Sequence, residues 1–312
     1  MITNSLGRSN HRNLVIVRAG DHSLHPGWLG DENQRHWDIV VNYYGDQENL
    51  YCESHVQRID SKGPKWPALH LLLQENPNFL NMYDYIWLPD DDLSTTMSEI
   101  NNLFSVMYEY KLQIAQPSLE QSSYFSHLLT IHNDNFQLRF TNFVEIMAPC
   151  FATELLTKAM PFLNAGLSGW GLDFIWQKLV DVPENQIAII DDVQVRHTRP
   201  VGGPNYKTLQ ERGISPWDEF LTICKLASID ENPTIRTLWG IMRDGKILDA
   251  RKKPNIFTLK LLSGYLKALL HTPQPIEFLD NMRGTLWRSL SKQPHRVNVK
   301  SKPRKITQPK QP

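Results

Sequence analysis

The chain has 312 residues, of which 41% are hydrophobic and 10% aromatic, enough for one large α/β domain with additions or for two small domains. No apolar run approaches the roughly 20 residues of a membrane span, and the first residues lack the apolar segment of a signal peptide, so we expect neither. Three scattered cysteines without a CxxC spacing indicate a reducing, cytoplasmic compartment.

Charge is unevenly distributed, although 33 basic and 33 acidic residues give a formal net charge of zero. Residues 281–312 contain nine Lys or Arg and no acid. Such a segment is typical of a disordered, solvated tail, with an anionic membrane surface or nucleic acid as alternatives. We expect a disordered tail, keep peripheral contact with the inner face of the membrane as an option, and expect no nucleic-acid partner.

Strands and helices alternate along the first part of the chain. Strands are predicted at residues 13–19 (NLVIVRA), 37–44 and 112–116, the last ended by Pro117, and helices at residues 67–75 and 97–110. This alternation predicts a doubly wound, mainly parallel sheet flanked by helices. Because neither GxGxxG nor GxxxxGK[ST] occurs, we expect no dinucleotide site of the usual kind and no P-loop.

Residues 83–93 (YDYIWLPDDDL) organise this part of the chain. Residues 85–88 predict a buried central strand, because β-branched and aromatic residues run together without alternation. Asp90, Asp91 and Asp92 follow at its carboxyl end, where open α/β sheets bind ligands. Since adjacent carboxylates repel one another, we expect a hard divalent metal, Mn²⁺ or Mg²⁺, to offset their charge.

The second part of the chain carries two further candidate groups. A polar stretch at residues 121–142 separates the halves; strands are predicted at residues 143–151 and 187–190, and helices at residues 153–160, 174–180 and, as an accessory element, 257–270. A glycine-spaced loop at residues 164–173 brings Asp173 to the start of a helix. His197 follows a late strand, before a turn at Gly202, Gly203 and Pro204 that ends the predicted core.

Together these residues describe a site for a metal-bound diphosphate. A hard cation takes carboxylate oxygens from the three aspartates, accepts one imidazole such as His197, and leaves positions open for phosphate oxygens. An acid that does not bind the metal, such as Asp173, could then act as a base toward an incoming hydroxyl.

Five motifs occur here in the same order as in the plant and bacterial family of domain of unknown function 707: YDYIWLPDDDL, LQIAQPSL, FVEIMAPCFA, SGWGLDF and the His197 segment ending in Gly202 and Gly203. The chain resembles this family over residues 13–206, and the family looks like a branch of the GT-A-type glycosyltransferases, which transfer a sugar from a nucleotide diphosphate donor. The resemblance implies a GT-A-like catalytic domain, which we expect at residues 13–240. From the sequence pattern we expect a flexible N-terminus at residues 1–12, a helical extension at residues 241–280 and the basic tail at residues 281–312, and the resemblance does not extend to these segments.

The resemblance also implies a role for each matching residue. Asp90 and Asp92 match the acids of an Asp-x-Asp motif, with Asp91 in support; Asp173 resembles the acid that deprotonates the acceptor in inverting enzymes, and His197 resembles the histidine that completes the metal shell. The residues expected at the donor are Asp90, Asp91, Lys65, Arg18, Asp21, His25, Trp170 and Arg199, and those expected at the metal are Asp92, His197 and Asp90.

Each candidate also has an ordinary structural explanation. The three aspartates could form a turn that caps a helix, and Asp173 could cap the helix that it opens. His197 could be a satisfied core histidine, and the loop of Asp21 and His25 could be an ordinary polar loop. Trp170, between two glycines, could be a packing anchor.

The resemblance therefore implies a metal-dependent glycosyltransferase of the hexosyltransferase class. The donor expected first is a UDP-sugar, the acceptor is a glycan or another hydroxyl compound, and the outcome is inversion, in the synthesis of a surface polysaccharide or glycan. The alternatives are a non-catalytic protein that binds a nucleotide sugar or glycan, and a nucleotide-diphosphate hydrolase or nucleotidyltransferase on the same fold. Because the whole set of acids and the histidine is present, the non-catalytic alternative is disfavoured.

Overall fold

The computed structural model describes residues 12–201, 209, 211, 213–231, 233 and 235–290. The predicted flexible residues 1–11, the turn at residues 202–204 and residues 291–312 of the basic tail lie outside this set. Among the described residues, no helix combines the length and the apolar content needed to cross a bilayer.

One mixed sheet forms the centre of the fold. Its strands are β1 (Asn13–Ala19), β2 (Asp38–Tyr43), β3 (Gln57–Asp60), β4 (Tyr85–Trp87), β5 (Leu93–Ser94), β6 (Ile114–Leu119), β7 (Phe136–Thr141), β8 (Cys150–Ala152), β9 (Ile187–His197), β10 (Thr237–Met242) and β11 (Ile247–Asp249). Their order is β11-β10-β7-β9-β6-β8-β4-β1-β2-β3, and β5 pairs with the end of β9.

The helices cover both faces of this sheet. They are α1 (Lys65–Glu75), α2 (Asn78–Met82), α3 (Met97–Glu109), α4 (Thr153–Leu163), α5 (Leu172–Leu179), α6 (Pro183–Gln186), α7 (Pro216–Ala227), α8 (Pro254–Ser263), α9 (Ala268–His271) and α10 (Pro275–Leu290). Apolar residues of α3, α8 and α10 pack on one face, and those of α1, α4 and α5 pack on the other. All seven residues of β1 are buried, as expected for a strand covered on both sides.

Parallel pairing joins β3, β2, β1 and β4 in one half of the sheet, and it joins β6 to β9 in the other half. Strand β8 lies between the halves and pairs antiparallel with both β4 and β6. The predicted α/β fold class with flanking helices is therefore confirmed. The parallel arrangement matters for the site because it brings the carboxyl ends of β1 and β4 to one edge.

Two predictions around the centre of the sheet were wrong. Strand β6 does not end at Pro117 but continues to Leu119. A proline is tolerated here because β8 pairs only with the first two residues of β6, and the pairing with β9 shifts register between Pro117 and Ser118. Residues 143–149 are not a strand, since the strand of that segment is limited to β8.

The polar stretch at residues 121–142 contains a strand that the sequence pattern concealed. Strand β7 carries Arg139, whose side chain is fully buried with that of Asp191. The guanidinium donates to both carboxylate oxygens, with Nε–Oδ2 at 2.6 Å and Nη2–Oδ1 at 2.8 Å. Because the buried ion pair places a charged residue in β7, the sequence of this buried strand has the polar composition of an exposed strand.

The carboxyl-terminal part differs from the prediction in three respects. Strands β10 and β11 extend the main sheet across residue 241, where the helical extension was expected to begin. The accessory helix expected at residues 257–270 is two helices, α8 and α9, separated by a turn. Helix α10 continues to Leu290, through the predicted start of the disordered tail at residue 281.

Candidate functional site

The three aspartates lie at the carboxyl edge of β1 and β4. A bridge pairs Arg18 of β1 with Asp90. On the other side of the acids the backbone N–H of Asp90 donates to the carbonyl of Met147 at 2.8 Å, so residues 145–147 run beside them. The acids are therefore held between the end of β1 and the segment that precedes β8.

Asp90 is paired with a cation of the chain itself. Lys65 Nζ, at the start of α1, lies 2.6 Å from Asp90 Oδ1 and donates to the carbonyl of Ile146 at 2.9 Å. The Asp90 side chain remains 38% exposed. Burial in the cleft raises its pKa, and Lys65 opposes that rise. Lys65 is thus the ion-pair partner of Asp90, while the charges of Asp92 and His197 act on the Asp90 pKa in opposite directions.

Asp92 is joined to His197 by a strand pairing that the sequence did not reveal. Strand β5 follows Asp92 directly and pairs antiparallel with the end of β9, with Leu93 opposite His197. Asp92 Oδ2 consequently lies 3.3 Å from His197 Nε2. Burial opposes a positive charge on His197, but the hydrogen bond and the charge of Asp92 outweigh it and raise the His197 pKa.

The orientation of His197 leaves Nε2 directed at Asp92. Its Nδ1 lies 3.0 Å from the carbonyl oxygen of Tyr124, to which it donates as Nδ1–H. The backbone N–H of His197 donates to Ser123 Oγ at 3.1 Å. A histidine fixed in this way through Nδ1 presents Nε2 as a metal ligand or as a partner for a carboxylate.

The donor atoms fit a divalent ion that takes two protein ligands. Asp92 Oδ1 is buried and has no hydrogen-bond partner among the described residues, and Asp92 Oδ2 faces His197 Nε2 at 3.3 Å. Among the described residues no three His, Cys, Asp or Glu side chains form a metal-binding group. Mg²⁺ and similar ions are commonly bound by one or two carboxylates together with substrate phosphates and water, so such an ion does not require three protein ligands.

Asp91 holds the loop after β1 in place. Its Oδ2 accepts from the backbone N–H of Gly20 at 2.8 Å, and its Oδ1 lies 3.3 Å from Arg199 Nη1. Arg199 also donates through Nη2 to the carbonyl of His22 at 2.7 Å. These bonds use both Asp91 oxygens within the protein, and the supporting role expected of this acid at the donor stays a prediction.

Arg18 is buried beside the acids, where it is held by neutral oxygens. Its guanidinium donates to Asn42 Oδ1 at 2.8 Å, to Ser61 Oγ at 2.9 Å and to the carbonyl of Gly63 at 2.7 Å. Burial lowers the Arg18 pKa to about 10. Its Nε has no hydrogen-bond partner. The residue lies at the expected edge of the sheet, with one N–H unused.

The loop after β1 places its two candidate residues differently. Asp21 accepts a hydrogen bond from the hydroxyl of Tyr43 and another from the backbone N–H of Asp46 at 3.2 Å. His25 is 1% exposed, with Nδ1 2.7 Å from Ser23 Oγ and its ring packed on Tyr51. Burial lowers the His25 pKa to about 4, so the ring is neutral. Its position is that of a core histidine.

The loop that carries Asp173 depends on two glycines. Gly169 and Gly171 have φ of +78° and +96°, in the left-handed region that favours glycine. A Cβ on Gly169 would also lie 2.4 Å from the ring of Trp66, so the loop approaches the start of α1 closely. Asp173 then sits, buried, in the first turn of α5.

A buried glutamate, which the sequence analysis did not single out, lies between Asp173 and the acids of β4. Glu145 precedes Ile146, whose carbonyl accepts from Lys65, and follows Val144, whose carbonyl accepts from Trp176 of α5 at 3.0 Å. Glu145 is buried, and its Oε2 has no hydrogen-bond partner. Burial raises the Glu145 pKa to about 7.

Asp173 is an acid of the site with a strongly raised pKa. Burial and, second to it, the negative charge of Glu145 raise the Asp173 pKa to about 8, against the backbone N–H groups at the start of α5. Within the part of the chain that the structure describes, Asp173 Oδ1 has no hydrogen-bond partner. A buried carboxyl with a pKa near neutrality and an unused oxygen is suited to accept a proton.

Trp170 is half-buried against a small apolar cluster that includes Phe143, Phe174 and Phe220. This contact supports the packing-anchor alternative, and one part of the ring remains accessible.

The sequence signal that could have identified Glu145 is a single acid inside the apolar run FVEIMAP. Because that run was interpreted as a strand, the acid was assigned no role.

The fold and the site together define an α/β protein with a cation, a metal-capable Asp–His pair and a buried acid at the carboxyl edge of its sheet. Residues 35–142 match the model of the family described as "Protein of unknown function (DUF707)", which confirms the resemblance inferred from the motifs. No curated protein sequence matches the chain.

Solved structures to which the chain is similar include nucleotide-sugar transferases. TarS of S. aureus in complex with UDP-GlcNAc is 12% identical, with 90% of this chain and 92% of that chain covered and a TM-score of 0.47. Glucosyl-3-phosphoglycerate synthase of Mycobacterium tuberculosis with Mn²⁺, UDP-glucose and phosphoglyceric acid is 11% identical, with 73% and 86% covered and a TM-score of 0.42. GalNAc-T7 with UDP, GalNAc and Mn²⁺ is 9% identical, with 69% and 48% covered and a TM-score of 0.46. Likenesses this distant carry no argument about residue roles.

Proposed function

We propose that this protein transfers a sugar from a nucleotide diphosphate donor to a hydroxyl acceptor, with a UDP-sugar as the first donor to test. The observation that carries the proposal is the position of Glu145. Its backbone neighbours are bonded to Lys65 on one side and to α5 on the other, so it links a charge-binding group to a proton-accepting acid. Transfer of a sugar from a diphosphate requires both functions.

The charge-binding group consists of Lys65, Asp90, Asp92 and His197. Lys65 supplies a cation next to Asp90 at the edge where a nucleotide would lie. Asp92 and His197 would hold Mn²⁺ or Mg²⁺, which when bound supplies positive charge against the leaving diphosphate. The role of these residues is to bind the donor and to offset the charge that develops as the sugar–phosphate bond breaks.

On the acceptor side, Asp173 would act as the base. Its carboxylate takes the proton of the acceptor hydroxyl while that oxygen forms a bond to the anomeric carbon. The bond from the anomeric carbon to the diphosphate oxygen breaks, and its electron pair leaves with the diphosphate. A single displacement of this kind inverts the anomeric configuration.

Glu145 would tune the base without touching the substrate. While Glu145 is ionised, its charge raises the Asp173 pKa and makes Asp173 a stronger base. The cost is that a smaller fraction of Asp173 is ionised at neutral pH. The proposed activity therefore increases toward alkaline pH.

The decisive experiment incubates the purified protein with Mn²⁺, a panel of nucleotide sugars and hydroxyl acceptors, and measures the released nucleotide. Release of nucleoside diphosphate together with a glycosylated product supports transfer, and the anomeric configuration of that product tests inversion. Release of nucleoside monophosphate would replace the proposal with diphosphate hydrolysis. Metal-dependent binding without turnover would favour the non-catalytic alternative.

A cytoplasmic location, with the basic tail contacting the inner face of the membrane, is part of the same proposal. Residues 281–290 of the predicted tail are helical, and residues 291–312 lie outside the described part of the chain. Their basic composition is the support for this contact.

A further inference from the structure

The carboxyl-terminal helices expose an unusual share of apolar surface. Fifteen large hydrophobic residues are exposed in the described part of the chain, and seven of them fall within residues 254–290. These seven are Ile256, Leu259, Leu266, Leu270, Ile276, Leu279 and Leu286. We call this set the outer apolar surface. Scattered exposed leucines are ordinary in soluble proteins, but a concentration in one segment marks an interaction site.

Helix α10 shows the pattern most clearly. Its buried side carries Phe278, which packs on Phe125 and on Tyr265. A second row, at spacings of three and four, runs through Ile276, Leu279, Arg283 and Leu286, and all four residues are exposed. The helix therefore has one apolar row in the core and another on the surface.

Helices α8 and α9 repeat this arrangement. Phe257 and Leu261 of α8 are buried, whereas Ile256 and Leu259 lie on the other side of that helix, with Leu259 68% exposed. Leu270 of α9 is 82% exposed. A helix that is apolar on all sides is expected to be buried on all sides, but the rest of the protein packs against only one side of α8 and α9.

Basic residues accompany the outer apolar surface. Residues 251–290 contain seven Lys or Arg and two acids, and residues 291–312 contain seven more and no acid. Lys252, Lys253, Lys260 and Arg283 are exposed. Arg283 lies within the outer row of α10, and Lys260 follows Leu259 on α8. Apolar side chains interleaved with cations match the interface of an anionic bilayer, which offers acyl chains below a negative surface.

We propose that the outer apolar surface docks the protein on an anionic lipid bilayer, with α8, α9 and α10 lying against the headgroups and their exposed leucines and isoleucines inserted between them. A second copy of the chain is a poorer occupant, because pairing two such surfaces would bring together the cations of both, including Arg283 from the middle of the apolar row. This inference does not depend on the proposed enzymatic activity.

The buried side of these helices connects the outer apolar surface to the candidate site. Gln274 Oε1, just before α10, accepts from the backbone N–H of Phe125 at 2.8 Å. The preceding residue, Tyr124, supplies the carbonyl that orients His197. Docking would therefore hold the metal-capable edge of the site close to the membrane, whereas substitutions confined to exposed residues leave this support intact.

The test measures sedimentation of the full-length protein with vesicles of phosphatidylcholine alone or mixed with phosphatidylglycerol. The combined variant Leu259→Ser, Leu270→Ser and Ile276→Ser should bind the mixed vesicles at least about tenfold more weakly than the wild type. The combined variant Lys252→Gln, Lys253→Gln and Lys260→Gln should bind the mixed vesicles about a hundredfold more weakly than the wild type at low salt. The loss of binding should be smaller at high salt. Leu226→Ser is the matched control, because Leu226 is 60% exposed on α7, and it should bind as the wild type does.

Thermal unfolding of each variant identifies any loss that reflects misfolding, and the lysine variant tests the same surface without altering apolar packing. Equal vesicle binding by the wild type and both combined variants would overturn the inference, as would the absence of wild-type binding to mixed vesicles. A concentration-dependent dimer in light scattering that is abolished by the serine variant, with vesicle binding unaffected, would assign the surface to a second copy and overturn the lipid proposal.

Discussion

Lys65 and His197 each pair with a carboxylate on the β4 side of the site, whereas on the α5 side Asp173 and Glu145 are buried, and no cation of the described residues pairs with Asp173. On the β4 side each carboxylate is paired with a basic side chain, and each pair leaves polar atoms free to bind a donor or a metal. On the second side burial raises the pKa of Asp173 to about 8 and of Glu145 to about 7. The acids of the site thus differ because their partners differ: one set is paired with Lys65 and His197, and the other is buried with one acid beside another.

The largest expected effect is on the proton-accepting side. Asp173→Asn should lower kcat for sugar transfer by roughly 10³ to 10⁴, because the acceptor proton loses its base. The KM for the donor should change little, since Asp173 does not belong to the charge-binding group. Released nucleoside diphosphate measures both constants. Asp181→Asn, an exposed acid away from the site, is the control and should behave as the wild type. Near-wild-type transfer by Asp173→Asn, with Asp92→Asn inactive, would remove Asp173 from the mechanism.

On the charge-binding side, Asp92→Asn should lower kcat/KM by about 10² to 10³ and weaken the dependence on Mn²⁺, because the Asp–His pair loses its charged ligand. Asp91→Asn is the matched control. An asparagine keeps an oxygen for the Gly20 N–H, so it should retain at least about a tenth of the activity. The comparison between the neighbouring acids fails if the two variants lose activity equally. Titration of activity with Mn²⁺ separates loss of the metal from loss of the fold.

The pH dependence of protein stability should reveal the same difference between the two sides of the site. The folded-state pKa of Asp173 is raised above the unfolded value, so its ionised form is disfavoured in the folded protein, and stability falls as pH rises from about 4 to about 8. Asp173→Asn removes this loss. Its free energy of unfolding should exceed that of the wild type by roughly 2–5 kcal/mol at pH about 9, and the difference should shrink at pH about 5. Urea unfolding at the two pH values measures it; a difference independent of pH would mean that Asp173 does not titrate in this range.

The smallest expected effect concerns the coupling between the two acids. The kcat/KM of the wild type should rise with pH, reach half its maximum near pH 8 and level off above that pH, where Asp173 is fully ionised. Glu145→Gln removes the neighbouring negative charge, so this rise should move down by about one pH unit while the fold is retained. A pH profile of donor turnover measures the shift. An unchanged profile would show that Glu145 does not act on the base.

Much of the fold was predictable because its signals are local. The four consecutive apolar residues 14–17 of β1, the Ser/Thr cap and three-four spacing of α3, and the apolar run before Asp90 are each visible in a short stretch of sequence. In α3, Thr96 does accept from the backbone N–H of Glu99, at 3.3 Å. The mistakes have nonlocal causes. Strand β7 was missed because the partner of Arg139 lies 52 residues away on β9, and β6 passes Pro117 because of where β8 stops.

The candidate site divides in the same way. Asp90, Asp92, Asp173 and His197 could be selected from motifs, since acids after buried strands and glycine-rich turns are visible in the sequence. Their partners could not. The sequence did not indicate that Lys65 would contact Asp90 rather than leave it to a metal, or that His25 would be a buried neutral ring. Glu145 was hidden because an acid in an apolar run has no pattern that reports what covers it.

By itself, then, the sequence determined the α/β class, the acidic edge after β4 and the identity of the groups able to do chemistry. These follow from residue type and from periodicity along the chain, which local sterics and hydrophobicity control. Only the tertiary structure decided which acids are neutralised and which are left to take a proton. A carboxyl pKa depends on burial and on charges brought close by folding, and in this protein those charges come from residues far apart in the chain.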